Sequence, residues 1–380
     1  MDASLNEKLA NVEWGKCRIS DLFDIENTLS FNKDKLVVGN EYDYVTRTSS
    51  NQGVFQGTGF VNKENLNSEN VWSLGLLQMD FFYRKKQWYA GQFIRKIIPK
   101  FETTERNIIF FTAMLNRLKP ILLQVLVRNV DETFKNQNVS LPYKNGEIDF
   151  DFMETFIEEL EAERIADLSV YLKVSELDDY KLTGEEEQSL NRFQTLEWEL
   201  YKIGDLFEKL STKKLPYKAK DLPDTLTGNY VLPCLTSSFK NQGLNYYVPK
   251  ENATILKNVI SIPSNSDVYK AYYQPREFTV LSDAYAIDWK FDKAELTKYQ
   301  YLFMVMCINK VTDLPRYSYK MKLGGWNVVK NIDIALPVQN GKIDLSFMNA
   351  FINAISKSTI QDVVKYVDKK TDVPKPTIQK

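Results

Sequence analysis

Val139-Ser140-Leu141-Pro142, then Asn145-Gly146-Glu147-Ile148-Asp149-Phe150, then Phe152-Met153 and Phe156-Ile157, is the stretch that decides how the chain is built, because it occurs twice. It returns as Ile334-Ala335-Leu336-Pro337, Asn340-Gly341-Lys342-Ile343-Asp344-Leu345, Phe347-Met348 and Phe351-Ile352. Working outward, Trp14-Gly15-Lys16 through Ile19-Ser20-Asp21-Leu22-Phe23 is matched by Trp198-Glu199-Leu200 through Ile203-Gly204-Asp205-Leu206-Phe207. Asn51-Gln52-Gly53 is matched by Asn241-Gln242-Gly243. The copies are spaced by roughly 190 residues, and the spacing widens along the chain, which places small loop insertions in the second copy. Several blocks repeating in one order imply two domains of one fold.

Each copy predicts the same succession. A short helix or turn near 19–23 leads into strands at 42–46, 81–83 and 94–98, with 246–248, 259–262 and 279–281 in the second copy. Asn-Gln-Gly reads as a turn, since Asn and Gly tolerate positive φ. Helices over 108–119 and 298–309 follow, then the Leu-Pro strand, the Asn-Gly turn and a final helix. Asp149 or Asp151 can cap the first of these final helices, and Asp344 or Ser346 the second. Met153, Ile157 and Leu160, and in the second copy Met348, Ile352 and Ile355, form an apolar stripe at helical spacing on a charged rod. Such a stripe packs either on its own domain or on a partner helix. The fold class is α/β (α+β), with two tandem duplicated domains in a pseudo-twofold arrangement, each a twisted β-rich globule followed by a spacer helix. The expected boundaries are 1–150 for the first domain, 151–196 for the spacer helix and connector, 197–344 for the second domain, 345–368 for the second helix, and a disordered tail over 369–380.

The composition closes off much chemistry. The 380 residues contain no histidine, which removes Ser-His-Asp and Cys-His nucleophiles, His-ligated metals and a histidine general base. Cys17, Cys234 and Cys307 lack paired spacing, which excludes a disulfide framework and most zinc sites and fits a reducing cytoplasm. No glycine-rich phosphate loop of the Walker type and no Asn/Asp-Pro-Pro-aromatic methyltransferase motif occurs. The opening residues are polar and read as no signal peptide, and the apolar run 108–127 is broken by Asn116, Arg117, Lys119 and Pro120, so no membrane span is expected. Aromatics reach 13%, which favours β-rich packing. The net charge is −1, low for a protein that grips phosphates unaided. Charge is segregated, however: 147–163 and 176–187 are acidic, while basic residues gather at 84–100 and 309–330.

Within those basic stretches, cations are interleaved with aromatic and amide side chains, as in Phe81-Phe82-Tyr83-Arg84-Lys85-Lys86-Gln87-Trp88-Tyr89 and Arg316-Tyr317-Ser318-Tyr319-Lys320-Met321-Lys322. Arg and Lys suit guanine edges and phosphates, and Asn and Gln suit adenine edges. The candidate DNA-contacting residues are therefore Thr46, Arg47, Asn51, Gln52, Arg84, Lys85, Lys86 and Gln92 in the first copy. In the second they are Ser237, Lys240, Asn241, Gln242, Lys270, Arg316, Tyr317, Lys320 and Lys322. Asn-Gln-Gly is equally explained by turn geometry alone, and residues shared by both copies read as structural. The divergent basic residues are the better candidates for specificity.

The ordered set of motifs resembles the specificity subunits of Type I restriction–modification systems and their Type IIB relatives. It comprises Trp-x-x-x-x-Ile-x-Asp-Leu-Phe, Tyr44-Val45-Thr46-Arg47-Thr48, Tyr89-Ala90-Gly91-Gln92, Tyr317-Ser318-Tyr319-Lys320 and the closing Leu-Pro…Asn-Gly-x-Ile-Asp block. The resemblance covers nearly the whole chain. It implies two target-recognition domains that each read half of a split double-stranded DNA site, with helices as the ruler between them; ~24 helical residues span ~36 Å, about one duplex turn. It further implies two methyltransferase (modification) subunits docked on the helix stripes, and a restriction subunit or a nuclease fused to the methylase. S-adenosylmethionine, Mg²⁺ and ATP would then belong to those partners, with no cofactor, metal or catalytic residue here, in a prokaryotic cytoplasm. Two other readings remain at this point. One is a protein-binding adaptor or decoy that assembles with modification subunits without reading DNA, which the near-neutral charge favours. The other is a metal-dependent nuclease built on Asp267 and Asp288-Trp289-Lys290, whose carboxylate…carboxylate-x-Lys spacing could hold Mg²⁺.

Overall fold

The structure, a computed structural model, describes residues 3–125, 127–266, 268–291, 296–318 and 320–371. They fall into two compact units, one up to Tyr171 and one from Leu172.

In the first unit, strand Glu13–Arg18 pairs antiparallel with Asn138–Lys144, placing Trp14 opposite Pro142. The one-turn helix Ile19–Leu22 delivers the chain into a four-stranded antiparallel sheet of spatial order Phe23–Asn27, Ile94–Pro99, Val71–Gly75, Asp80–Arg84. A smaller sheet carries Val54–Thr58, Tyr42–Val45, Trp88–Ala90 and Leu66–Asn67, with Tyr42–Val45 and Trp88–Ala90 parallel. Helix Glu105–Asn116 closes over the larger sheet. It begins where it does because Thr104 and Asn107 form a reciprocal capping box, satisfying two otherwise orphaned N–H groups. That cap sets the start three residues ahead of the expected 108, where the apolar run begins. Trp72 is fully buried, stands edge-on to Phe23 and Tyr83, and donates its indole N–H to Thr112 Oγ1 at 2.7 Å, so its polar atom costs nothing inside the core.

The second unit repeats this plan. Glu197–Lys202 pairs with Asp333–Gln339, and the four-stranded sheet runs Phe207–Lys209, Ala284–Trp289, Val259–Pro263, Tyr272–Gln274. The small sheet holds Leu244–Val248, Leu232–Leu235 and Thr279–Val280. Thr297 and Gln300 form the capping box of helix Lys298–Thr312.

The duplication extends to single hydrogen bonds. Asn116 Oδ1 accepts from Phe81 N and its Nδ2 donates to Phe81 O, both at 3.0 Å. Asn309 makes the same clasp on Ala271, at 2.7 and 3.1 Å. Each clasp satisfies the outer face of an edge strand with a helix side chain. Leu22 O and Leu206 O accept from Lys100 N and Lys290 N, at 2.9 Å in both.

The final helices are Phe150–Val174 and Leu345–Thr371. Asp149 and Asp344, rather than Asp151 and Ser346, are the caps: their Oδ1 atoms accept from Phe152 N at 2.8 Å and Phe347 N at 2.9 Å. The stripe expected to bind partners turns inward, which corrects that assignment. Met153 lies in the first core, and Ile157 and Leu160 pack with Leu5 and Leu9 of helix Ala3–Asn11. Met348 and Ile352 lie in the second core, and only Ile355 of the six is exposed.

The acidic connector contains a helix of its own. Residues Gly184–Arg192 form a helix capped by Thr183 and packed on Leu345–Thr371, where buried Glu186 meets Lys357 Nζ at 3.2 Å. The last helix runs three residues beyond 368, so the expected disordered tail is helical at 369–371, and its remainder lies outside the described residues. Among the described residues no single helix is long and apolar enough to cross a membrane.

Candidate nucleic-acid interface

The turns that follow Tyr42–Val45 and Leu232–Leu235 have the same unusual backbone. Asn51, Gln52 and Gly53 lie at φ of 46°, 51° and 79°, and Asn241, Gln242 and Gly243 at 47°, 56° and 88°. A left-handed residue other than glycine costs roughly 1–2 kcal/mol, least for Asn, so two in succession ending in glutamine need outside support. Thr46 N donates to Gly53 O at 2.8 Å and Thr236 N to Gly243 O at 3.1 Å, closing each loop at its base. Asn51 Nδ2 returns to its own turn at Val54 O, 3.1 Å away. All four Asn and Gln side chains are exposed.

Thr46, Arg47 and Gln92 come together. They line a cleft of about 680 Å³ with Asn32, Lys33, Asp34, Tyr44 and Phe55. The parallel pairing of Val45 with Ala90 causes this, since it ends both strands on one edge and brings Arg47 and Gln92 out side by side. The Arg47 guanidinium lies 5.2 Å from the centre of the exposed Phe93 ring, and Lys33 Nζ 5.8 Å from that of exposed Phe55. Gln92 Nε2 donates to Asn32 Oδ1 at 3.4 Å. Two cations resting on aromatic faces beside an amide pair form a surface suited to base edges and phosphates. Asn32, Lys33, Phe55 and Phe93 do not stand out in the sequence. No signal in the sequence separates Phe55 and Phe93 from core phenylalanines, since their exposure is a property of the fold.

Other candidates are placed differently. Arg84 is 3% exposed and cannot reach DNA, which corrects its assignment. Its Nε donates to Ser73 Oγ at 2.9 Å and its Nη2 to the Gln52 carbonyl, and burial pulls its pKa down to about 10, against the opposing effect of Asp43. Lys85 and Lys86 precede Trp88, at the opposite end of the small sheet from the cleft, and pair with Glu105 at 3.5 Å and Asp43 at 2.8 Å. Further along the same stretch, Arg95, Lys96 and Lys100 pair with Asp131, Glu26 and Asp24. Much of the basic run at 84–100 is therefore ion-paired scaffold.

In the second unit Ser237 is half-buried, and Lys240 is exposed beside Phe239, whose carbonyl accepts from Tyr272 Oη at 3.2 Å. Exposed Lys270 follows Tyr269, whose ring meets Tyr317 edge-on at 6.1 Å. Arg316 lies 4.9 Å from the centre of the Tyr317 ring and donates to its hydroxyl at 3.0 Å. Lys270, Arg316 and Tyr317 thus lie about the Tyr269–Tyr317 ring pair, while Lys240 stands beside Phe239 and Tyr272. Lys320 and Lys322 are exposed on the same loop.

The proposed nuclease carboxylate is part of the core. Asp288 is 2% exposed, and its Oδ1 accepts from Tyr301 Oη at 2.9 Å and from Trp289 N at 2.8 Å, while Lys290 Nζ bonds the Gly204 carbonyl. Asp288 serves as an internal acceptor on a strand, and Asp267 lies outside the described residues.

Comparisons with known proteins bear on the family and the fold. The chain is 23% identical over 354 residues to the specificity subunit S.BcgI of the Type II restriction enzyme BgcI from Heyndrickxia coagulans, covering 92% of this chain and 96% of that one. The crystal structure of the S subunit of a Type I restriction–modification system from M. genitalium superposes with a TM-score of 0.56 at 14% identity, covering 95% of this chain and 92% of that one. An HsdS subunit from Thermoanaerobacter tengcongensis aligns over 95% of this chain and 92% of its own at 10% identity, with a TM-score of 0.29 that carries no weight. The model of the Type I restriction modification DNA specificity domain matches twice, at 11–169 and 195–366, once in each copy. The chain belongs to that family, as a DNA-sequence-recognising specificity subunit of a restriction–modification system.

Proposed function

We propose that the chain reads a bipartite, asymmetric DNA site, one half per unit, and has no catalytic centre of its own. One observation carries this reading: two scaffolds that share their main strand pairings present different side chains at equivalent places. Val45 and Leu235 hold the same pairing with Ala90 and Val280, so Arg47 stands where the second unit has Ser237, and Gln92 where it has Ser282. The second unit instead offers Lys240, Lys270 and Arg316. Unlike reading surfaces on like frames suit unlike half-sites.

Modification subunits, two per complex, supply adenine methylation with S-adenosylmethionine. Cleavage, with its Mg²⁺ and ATP, belongs to a restriction subunit or to a nuclease fused to the methylase. The near-neutral charge fits an assembly in which those partners supply much of the phosphate grip. The test is a pull-down from the native host with this chain as bait, together with sequencing of methylated adenines with and without its gene. Co-purification of a methyltransferase and loss of one split motif is the expected result. An unchanged methylome with a methyltransferase still co-purifying would favour the adaptor, and the absence of any methyltransferase partner would overturn the reading outright.

A further inference from the structure

Each left-handed turn is held from beneath by one buried side chain, and the two side chains differ in type. In the first unit Arg84 bridges Ser73 Oγ, at 2.9 Å, and the Gln52 carbonyl. In the second, Gln274 Nε2 bridges Ser261 Oγ, at 3.0 Å, and the Gln242 carbonyl, at 3.1 Å. The surroundings correspond. Arg84 stands opposite Val71 and Gln274 opposite Val259, at the same end of equivalent strand pairs. Ser73 and Ser261 each donate to the carbonyl of the residue they face across the sheet, Phe82 and Tyr272. Both bridging residues are nearly inaccessible, at 3% and 4% exposure.

We propose that Arg84 and Gln274 are positioning residues for sequence reading, which fix the Asn-Gln-Gly turns so that Asn51, Gln52, Asn241 and Gln242 present their side chains in set directions. This rests on the DNA-reading function proposed above. The middle residue of each turn is a glutamine in a left-handed conformation, which it does not adopt unaided, and its carbonyl points into the protein, where it needs a donor. A Cβ at Gly53 would lie 3.2 Å from both Arg84 Nη2 and the Thr46 carbonyl, so the third position also fits closely around the strut. A guanidinium buried this deeply is costly where only packing is required. Two chemically unlike side chains that each tie an equivalent carbonyl to an equivalent serine point to the turn as what they share.

The experiment compares Arg84→Met, Arg84→Gln and Gln274→Leu in the complex with its partner subunits. The DNA probes are a duplex carrying the methylation motif found for the wild type and a scrambled duplex, and amide hydrogen exchange is followed over 50–54 and 240–244. Arg84→Met is expected to speed exchange in the first turn about tenfold and to lower binding of the motif duplex about tenfold, with scrambled binding unchanged. Arg84→Gln should recover most of both. Gln274→Leu should act likewise on the second turn, without involving a buried charge, and decides the matter where Arg84→Met fails to fold. Unchanged exchange in both variants overturns the proposal. So does faster exchange with motif preference intact, or an equal loss on both duplexes. A wild-type complex with no preference for the motif would instead remove the DNA-reading function, while the exchange data would still report whether the strut holds the turn.

Discussion

The Asn116 clasp offers a measurement of how the scaffold is held. Its side-chain amide satisfies both the N–H and the C=O of Phe81, a residue fully buried on an edge strand. Asn116→Ala removes both partners at once and leaves two main-chain groups without a hydrogen bond where water has little access. Each such group costs about 1–3 kcal/mol, and partial relaxation of an edge strand puts the sum at about 2–4 kcal/mol. For a unit of this size that is roughly 6–12 °C in the midpoint of its thermal transition. Urea titration and calorimetry of the full chain would read it. Asn309→Ala should lose a similar amount, since its clasp on Ala271 has the same form. Asn116→Asp should recover less than half, because a carboxylate accepts from the N–H but offers no donor to the C=O. A loss below about 0.5 kcal/mol in Asn116→Ala, within the scatter of ordinary surface changes, would refute the reasoning.

Arg47→Ala is expected to cost about 1–3 kcal/mol in specific binding, confined to one half-site, with anisotropy titrations on duplexes altered in either half as the check. Met153→Ala and Met348→Ala should each destabilise by about 2–5 kcal/mol in urea titrations, being core residues. Ile355→Asp, at 43% exposed, should leave unfolding unchanged and weaken co-purification of the methyltransferase subunit. Burial pushes the Cys234 thiol up to about 12 from an ordinary 9. Above pH 9 the unfolded chain therefore releases that proton while the folded chain keeps it, and stability falls as pH rises, by about 1 kcal/mol at pH 10 from this group. Cys234→Ala should flatten that slope, and native Cys234 should resist alkylation at pH 8 until the chain is unfolded.

Features that leave a local or a repeated trace are legible in the residues themselves. The Asn-Gly turns, the Leu-Pro strands and the helix stripes recur in order, so the two-copy plan is visible in the sequence alone. The central strands Val71–Gly75 and Ala284–Trp289 are harder to see because all their residues are buried and, unlike the equally buried Val259–Pro263, they lack a concentration of β-branched residues. Strands covered on both faces lose the alternation that marks a half-exposed strand. Gly184–Arg192 looks like solvated acidic linker, although Thr183 and Glu186 carry the spacing of a capping box; what no local residue reveals is that Glu186 meets Lys357 across the sequence. The apolar stripes are plain to read, but a stripe cannot say what covers it. Arg84 reads as one of its basic neighbours, although the strand pairing that sets it over Ser73 turns it inward. The candidate cleft is half visible. Thr46, Arg47 and Gln92 stand out by type, while Lys33 and Phe55 reach it through folding alone.

The pairing of Glu13–Arg18 with Asn138–Lys144 also governs when the first unit can complete itself on the ribosome. A strand made at the start must wait about 130 residues for its mate, which at ~5–20 residues per second is ~6–25 seconds of synthesis. The rival strand in the second copy, Asp333–Gln339, emerges long after that. Vectorial synthesis therefore seals the first copy before its duplicate exists, which guards a tandem repeat against exchanging equivalent strands.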